Sequence, residues 1–250
     1  MRFLPAAFLA LLVSGDPAFA ADNGERGFAL FSPDGRYFAY ELYGIQDGSG
    51  FPFSDVFVID LETNSLIEGT PLRAQIEEEN GATISAARKE SATKAGPILE
   101  KYKIAEPGEL LAANTATEIV ADRTRVSFGP FYPARGWVAA DQKPPEMNRY
   151  TLTLAHLPFP AKQECDYGDP KSYGFALKIR DQETGNETEA YRDAAIPDTR
   201  YCPFSYDIGE VIGFRDVTNG NHYVALVAMY TPGYEGLDRR LLAVPFTLPY

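Results

Sequence analysis

Short alternating segments joined by turn residues restrict this chain to a fold built mainly from β-hairpins. The first segment, residues 28–31, is followed by the turn sequence Ser32-Pro33-Asp34-Gly35 and then by the aromatic-rich residues 36–43. Pro33 presets the backbone for a type I turn, and Gly35 can adopt the left-handed conformation that a bulged hairpin needs. The pattern therefore predicts a tight antiparallel hairpin around Gly35.

Similar segments recur along the chain. A second predicted hairpin joins residues 55–60 to residues 65–69, and two later turns, at residues 181–186 and 216–221, each contain an Asp, a Thr and a final Asn. This recurrence favours blade-like repetition, although the same residue types occur in the turns of any hairpin. The first two hairpins also resemble one blade of the propeller repeats found in periplasmic translocation proteins. A closed propeller needs about four blades or more.

The composition changes between residues 72 and 114, where Ala, Glu, Lys and Ile replace the alternating pattern. We expect helical pieces there, interrupted at Gly81 and at Gly96-Pro97. The predicted helical pieces are residues 75–80, 83–94 and 98–103. The predicted fold is thus mainly β, with antiparallel propeller-like or sandwich sheets and a helical insertion at residues 72–114, in a single domain spanning residues 21–250.

The first twenty residues have the layout of a cleavable secretory signal. Arg2 precedes an apolar run at residues 3–13, and Ala18-Phe19-Ala20 provides small residues at the cut. The apolar run is shorter than the ~20 residues that span a bilayer, so a membrane anchor is disfavoured. We expect cleavage after Ala20 and a periplasmic or secreted protein without a membrane span.

The chain is strongly acidic, with a formal net charge of −12. Binding to nucleic acid or to anionic lipid requires clustered Lys and Arg, so neither is expected of this chain. Net charge also keeps an exported protein soluble, and that simpler interpretation is sufficient here. The expected partner is an envelope protein or a polar ligand.

The sequence contains two cysteines, Cys165 and Cys202. Export to an oxidising compartment predicts a disulfide between them, which would stabilise the fold by up to ~4 kcal/mol on the chain-entropy model. Glu164 and Asp166 flank Cys165 and oppose formation of a thiolate, so the role expected of the pair is structural rather than redox.

Searches for catalytic or metal-binding patterns give no candidate. The sequence lacks a Gly-x-Ser-x-Gly elbow and a glycine-rich loop that opens a helix, and His156 and His222 lack the short spacing of zinc ligands. Asp181, Glu183 and Glu187 come nearest to a calcium loop, but a hairpin turn explains the same residues. No catalytic residue, metal or cofactor is therefore predicted.

The segment at residues 234–240 is the most unusual in the chain, because it places two carboxylates and two arginines in one short connection. These groups can pair with each other. If they instead face a groove lined by Tyr230 and Tyr234, they could bind a polar ligand through bidentate arginine bonds and aromatic stacking. The candidate ligand-binding residues are Tyr234, Glu235, Asp238 and Arg239.

Several of these features occur together in one family. The leader, the Phe-Ser-Pro-Asp-Gly hairpin, the segment at residues 109–114 and the terminal Gly-Tyr-Glu-Gly-Leu-Asp-Arg-Arg followed by Leu-Leu-Ala-Val resemble a family of predicted secreted bacterial proteins. That family has no assigned reaction or ligand. The resemblance implies a bacterial periplasmic setting and supplies no catalytic residue.

The exported acidic β scaffold and the missing catalytic patterns favour a non-catalytic binding or envelope-associated module. The alternative is a carboxylate-dependent hydrolase acting on envelope polymers through Glu235 and Asp238. Two carboxyl groups that face one open cleft would favour the enzyme, whereas Asp–Arg pairs on a flat surface would favour the module. A third alternative, a structural partner protein, would present a contiguous exposed apolar patch.

Overall fold

The computed structural model describes residues 22–77, 82–115, 117–118, 120–129, 148–161, 165, 171–216, 220–233 and 236–249. The predicted leader and Ala21 lie outside them.

The described chain forms β-strands, one α-helix and a short 3-10 helix at Asp198–Arg200. In chain order the elements are β1 (Glu25–Phe31), β2 (Tyr37–Ile45), β3 (Pro52–Asp60), β4 (Ser65–Leu66), β5 (Leu72–Gln75), α1 (Ile84–Lys101), β6 (Glu106–Pro107), β7 (Glu109–Ala113), β8 (Arg125–Phe128), β9 (Tyr150–Pro160), β10 (Lys171–Asp181), β11 (Glu187–Arg192), β12 (Ser205–Asp216), β13 (Gly220–Pro232) and β14 (Leu237–Phe246).

The described strands make three sheets. The amino-terminal sheet has the order β4-β3-β2-β1-β6, with β5 also paired to β3. The outer sheet has the order β11-β10-β9-β8, and the central sheet has the order β14-β13-β12-β7. Neighbouring strands are antiparallel throughout these sheets. The described sheets pack face to face as layers, so the predicted mainly β fold is confirmed in its sandwich-like form.

The central sheet is buried on both faces, and β13 shows why. Along this strand Ala225 and Val227 pack in the core shared with the outer sheet, whereas Val224 and Leu226 pack in the core shared with the amino-terminal sheet. A strand covered on both faces has a nearly continuous apolar sequence rather than an alternating one. The apolar residues 223–230 therefore position the middle layer of the domain.

The helix α1 covers the remaining face of the amino-terminal sheet. Its buried residues are Ala87, Ser91 and Ala95, and this narrow small-residue face lets it lie close to β3. The Thr83 side chain caps the helix by accepting a hydrogen bond from the Ala86 backbone nitrogen at 3.1 Å. The helix continues through the Gly96-Pro97 pair, which the sequence analysis treated as an interruption.

The helical part is also shorter than the predicted residues 72–114. Residues 72–75 form β5, which pairs with β3, and residues 109–113 form β7, which pairs with β12. Residues 76–77 are not helical, and residues 78–80 lie outside the described chain. Pairing with distant strands outweighs the local helix propensity of these Ala-, Leu- and Glu-containing segments.

The same ion-pair clasp, an arginine before one strand bound to the aspartate at the end of the next strand, occurs twice in the described chain. In the amino-terminal sheet, Arg36 precedes β2 and donates to the Asp60 carboxylate at the end of β3, with Nη2–Oδ2 at 2.7 Å. In the outer sheet, Arg149 precedes β9 and donates to Asp181 at the end of β10, again with Nη2–Oδ2 at 2.7 Å. In both clasps the arginine also pairs with the Glu two residues after the Asp and lies over the ring of the Tyr that follows it.

Candidate functional site

The described part of the predicted ligand-binding segment, residues 236–240, lies at the start of β14, at the edge of the central sheet. Asp238 and Arg239 belong to this strand, whereas Tyr234 and Glu235 lie outside the described residues. The comparison between the Glu235 and Asp238 carboxyl groups, which would separate the hydrolase from the binding module, therefore also falls outside the described chain. The ligand role of the four candidate residues stays a prediction.

Asp238 and Arg239 hold the first described residues of the chain. The Asp22 backbone nitrogen donates to Asp238 Oδ1 at 3.1 Å, and the Arg239 backbone nitrogen donates to the Asp22 carbonyl oxygen at 2.8 Å. The Arg239 Nη1 donates to the Gly24 carbonyl oxygen at 2.9 Å. Asn23 forms a parallel bridge with Arg239, so residues 22–24 extend the central sheet at the start of its edge strand.

A cleft of about 650 Å³ opens beside the contacts that hold residues 22–24 against β14. Its floor is the edge strand β14, one wall is the face of β3 and β5, and the other wall consists of Tyr191 on β11 and the segment around the 3-10 helix. Parts of all three sheets therefore meet in this cleft. Arg239 and Arg240 line it, whereas the sequence predicts a groove lined by Tyr230 and Tyr234.

An aromatic stripe lines the wall formed by the amino-terminal sheet. Successive side chains of β3 alternate between its two faces, so Phe53, Asp55 and Phe57 point into the cleft together. Tyr40 stacks on Phe57, with ring centroids 4.8 Å apart and an interplanar angle of 6°. The Tyr40 hydroxyl donates to the Leu241 carbonyl oxygen on β14 at 2.7 Å and so joins the wall to the floor.

Two arginines of the cleft, one on the wall that carries Asp55 and one on the floor, act on the Asp55 charge. Arg73 lies across from it on β5, with its Nε 3.6 Å from Asp55 Oδ2, and Arg240 lies on β14. Burial raises the pKa of Asp55, and the charges of Arg73 and Arg240 oppose that rise. Arg240 is exposed and has no salt-bridge partner in the described part of the chain. The cleft thus contains an acid close to one cation and within the electrostatic range of a second.

A buried network fixes the opposite wall. Asp193 Oδ2 accepts hydrogen bonds from Arg200 Nη1 at 2.7 Å and from the Phe175 backbone nitrogen at 2.8 Å. Asp193 Oδ1 accepts from the Tyr191 hydroxyl at 2.6 Å, and burial raises the pKa of Tyr206, beside Arg200, to about 12. Because Arg200 is buried and ion-paired with Asp193, it shapes the cleft rather than offering a free cation.

The predicted disulfide is confirmed, since Cys165 and Cys202 are bonded. Cys202 follows Arg200 by two residues, so the bridge attaches the segment that forms this wall to a distant part of the chain. A disulfide between residues 37 apart restricts the unfolded chain far more than the folded one. The bridge therefore supports the cleft indirectly.

The other residues weighed in the sequence analysis have structural contacts. His156 Nε2 accepts a hydrogen bond from the Tyr206 backbone nitrogen at 2.9 Å, and His222 packs against the turn at Gly35, where burial lowers its pKa. Asp181, the first residue of the calcium alternative, is occupied by Arg149. Among the described residues there is no group of three or more His, Cys, Asp or Glu side chains placed to hold a metal ion.

The residues that line the cleft could not be found from local sequence. Asp55, Arg73 and Arg240 come from strands that are far apart in the chain and meet only after the amino-terminal and central sheets pack together. The one local signal was the adjacent Arg239-Arg240 pair, which the sequence analysis noted for its charge.

These observations define a class: a mainly β, sandwich-like protein whose described residues include one packed α-helix, a structural disulfide and a cleft where the sheets converge. The family model described as predicted secreted protein (DUF2259) matches residues 39–247, and the chain belongs to that family. A search among curated proteins finds no match. The described helices include none that is long and apolar enough to cross a membrane.

Proposed function

We propose that this protein is a non-catalytic binding module of the bacterial envelope and that its ligand occupies the cleft between the three sheets. The observation that carries the proposal is the composition of the cleft. Its aromatic stripe supplies apolar contact, and the neighbouring Asp55 and Arg240 supply polar recognition. A volume of about 650 Å³ lies within the range of small-molecule sites, roughly 300–1,000 Å³.

The compartment that we propose for this binding function is the periplasm. The leader at residues 1–20 predicts export, and the Cys165–Cys202 disulfide fits an oxidising compartment. The polar ligand or envelope protein expected from the sequence would then meet the cleft outside the cytosol.

A neutral fluorescent probe tests the proposal. N-phenyl-1-naphthylamine becomes fluorescent in apolar sites, so we expect saturable binding to the mature protein with one site per chain. Phe53→Ala and Phe57→Ala remove aromatic surface from the cleft and should each weaken binding several-fold. Leu110→Ala serves as the matched control, because Leu110 is half exposed on β7, at the opposite edge of the central sheet.

Thermal unfolding of each variant shows that it is folded at the temperature of the titration. Two results would overturn the proposal. One is the absence of saturable binding to the folded protein. The other is equal binding by both folded cleft variants and by the unmodified chain.

A further inference from the structure

We infer that the cleft selects an anionic ligand with an apolar body, whose acid group lies between Arg240 and Arg73 while its apolar part contacts Phe53 and Phe57. This inference rests on the proposed function and names the chemical class of the ligand. The inference is based on the charges of the cleft and on two arginines in it whose side chains can still bind a ligand.

The charge of the cleft is opposite to that of the whole molecule. The chain has a formal net charge of −12. Among the described residues, the charged side chains that line the cleft are four arginines and two acids: Arg73, Arg200, Arg239, Arg240, Asp22 and Asp55. An excess of cations in a concave site raises the local concentration of anions, even on an acidic protein.

Two of these arginines are already committed. Arg200 is buried and ion-paired with Asp193, and Arg239 donates to the Gly24 carbonyl oxygen. Arg73 and Arg240 remain. The side chain of Arg73 is 64% exposed and its 3.6 Å contact with Asp55 is longer than a hydrogen bond, so most of its donors are free to meet a ligand.

The two available arginines lie on different sheets, Arg73 on β5 and Arg240 on β14, and both act electrostatically on the same carboxylate, Asp55. Both arginines line the same cleft, and Arg73 Nε lies 3.6 Å from Asp55 Oδ2, so an acid group bound beside Asp55 would lie close to Arg73 and in the field of Arg240. A carboxylate, phosphate or sulfonate can form paired bonds with a guanidinium in a geometry that Asp55 does not attain here. Phe53 and Phe57 lie two residues on either side of Asp55 and face the same cleft, so the apolar part of such a ligand has a surface beside the acid group.

The direction in which a change at Asp55 alters the affinity distinguishes an anionic ligand from a cationic one. Asp55 repels an incoming anion and competes for the same guanidiniums. Asp55→Asn removes that competition and should strengthen the binding of an anion. A ligand recognised through the Asp55 carboxylate, namely a cation, would instead bind more weakly to this variant.

A matched pair of probes separates this inference from the proposed function. 8-Anilinonaphthalene-1-sulfonate is N-phenyl-1-naphthylamine with one added sulfonate, so the ratio of their affinities measures what the anionic group contributes. We expect the sulfonate to bind about tenfold more tightly than the neutral probe, as one charge-assisted contact in a partly exposed site would give. Arg240→Ala and Arg73→Ala should each reduce this ratio several-fold, because each removes a cation that the sulfonate can pair with and the neutral probe cannot.

Two further variants complete the experiment. Asp55→Asn should raise the ratio of sulfonate to neutral-probe affinity several-fold, and Arg180→Ala is the control. Arg180 is an exposed arginine on β10 in the outer sheet and does not line the cleft. Equal affinity for the two probes, or weaker sulfonate binding by Asp55→Asn, would overturn the inference while leaving binding in the cleft intact. If neither probe binds to the folded protein, the proposed function itself fails.

Discussion

The contact between Arg88 and Glu41 attaches the helix to the amino-terminal sheet, and it provides the most direct test of the layer arrangement. The Glu41 carboxylate points away from the cleft, toward α1. It accepts hydrogen bonds from Arg88 Nε at 2.9 Å, from Arg88 Nη2 at 2.8 Å and from the Ser54 hydroxyl at 2.9 Å. Arg88 also lies over the Tyr43 ring, 4.1 Å from its centroid. Arg88→Met would remove both donors while keeping most of the apolar stem.

The size of the effect follows from the burial of the two partners. The Glu41 side chain is only 3% exposed, and breaking a fully buried ion pair costs about 3–5 kcal/mol. The Arg88 side chain, however, is 42% exposed, so solvent weakens the pair and can reach the vacated position. We therefore expect Arg88→Met to lower the free energy of unfolding by about 2 kcal/mol, which is a decrease in melting temperature of roughly 4–8 °C for a domain of this size.

A double-mutant cycle with Glu41→Gln isolates the pair from other effects. Glu41→Gln alone should cost about 1 kcal/mol, because the amide still accepts a hydrogen bond but loses the charge. The double variant should be more stable than the two single losses predict, by about 1 kcal/mol or more. Chemical denaturation of the four proteins measures this coupling, with Lys89→Met, an exposed neighbour on α1, as the control. Additive losses within experimental error would refute the assignment of Arg88–Glu41 as the attachment of the helix.

Three further predictions concern other contacts between layers. Tyr40→Phe should cost about 1–2 kcal/mol in chemical denaturation, because it leaves the buried Leu241 carbonyl oxygen without its donor; no loss would contradict that contact. The hydrogen bond from Arg149 holds the pKa of Asp181 below its ordinary value, so its stabilisation is present above pH about 4 and is lost as the pH falls through the lowered pKa. The stability difference between the unmodified protein and Asp181→Asn should accordingly be constant at neutral pH and shrink below pH about 4, and a constant difference across that range would count against the clasp. Cys202→Ser should lower stability by up to about 4 kcal/mol, whereas an unchanged denaturation midpoint would show that the disulfide is dispensable.

The hairpins could be predicted because their information is local. In the turn at Gly35 the backbone nitrogen of Gly35 donates to the Ser32 carbonyl oxygen at 2.9 Å and the glycine has a φ of +69°, as its sequence required. The turn that follows Asp181 is likewise defined by residues within six positions of each other. Turn residues restrict or hydrogen-bond the backbone next to them, so the local sequence is sufficient to predict a turn.

The ends of the helical segment could not be predicted in the same way. Residues 72–75 and 109–113 carry no strong strand pattern, and they are strands because β3 and β12 offer them open edges. The cleft depends on similar long-range pairing, since Asp55 and Arg240 are separated by most of the chain. Local propensity carries no information about which distant edge a short segment will join.

For Arg239 the sequence predicts ligand binding, whereas the observed contacts indicate that it holds the amino-terminal residues in place. Its guanidinium donates to the Gly24 carbonyl oxygen, and its backbone nitrogen donates to the Asp22 carbonyl oxygen, so it holds the segment that follows the predicted cleavage point. Arg239→Leu removes the first bond only. If the role of Arg239 is to hold residues 22–24, amide exchange at the Arg239 nitrogen should accelerate about fivefold, the effect of losing about 1 kcal/mol of local stability.

The same variant tests the ligand role of Arg239. If Arg239 binds ligand instead, its amide exchange should remain slow and the affinity for the sulfonate probe should fall. Slow exchange together with unchanged affinity would exclude both roles, since the side chain would then neither hold the amino-terminal segment nor contribute to the cleft.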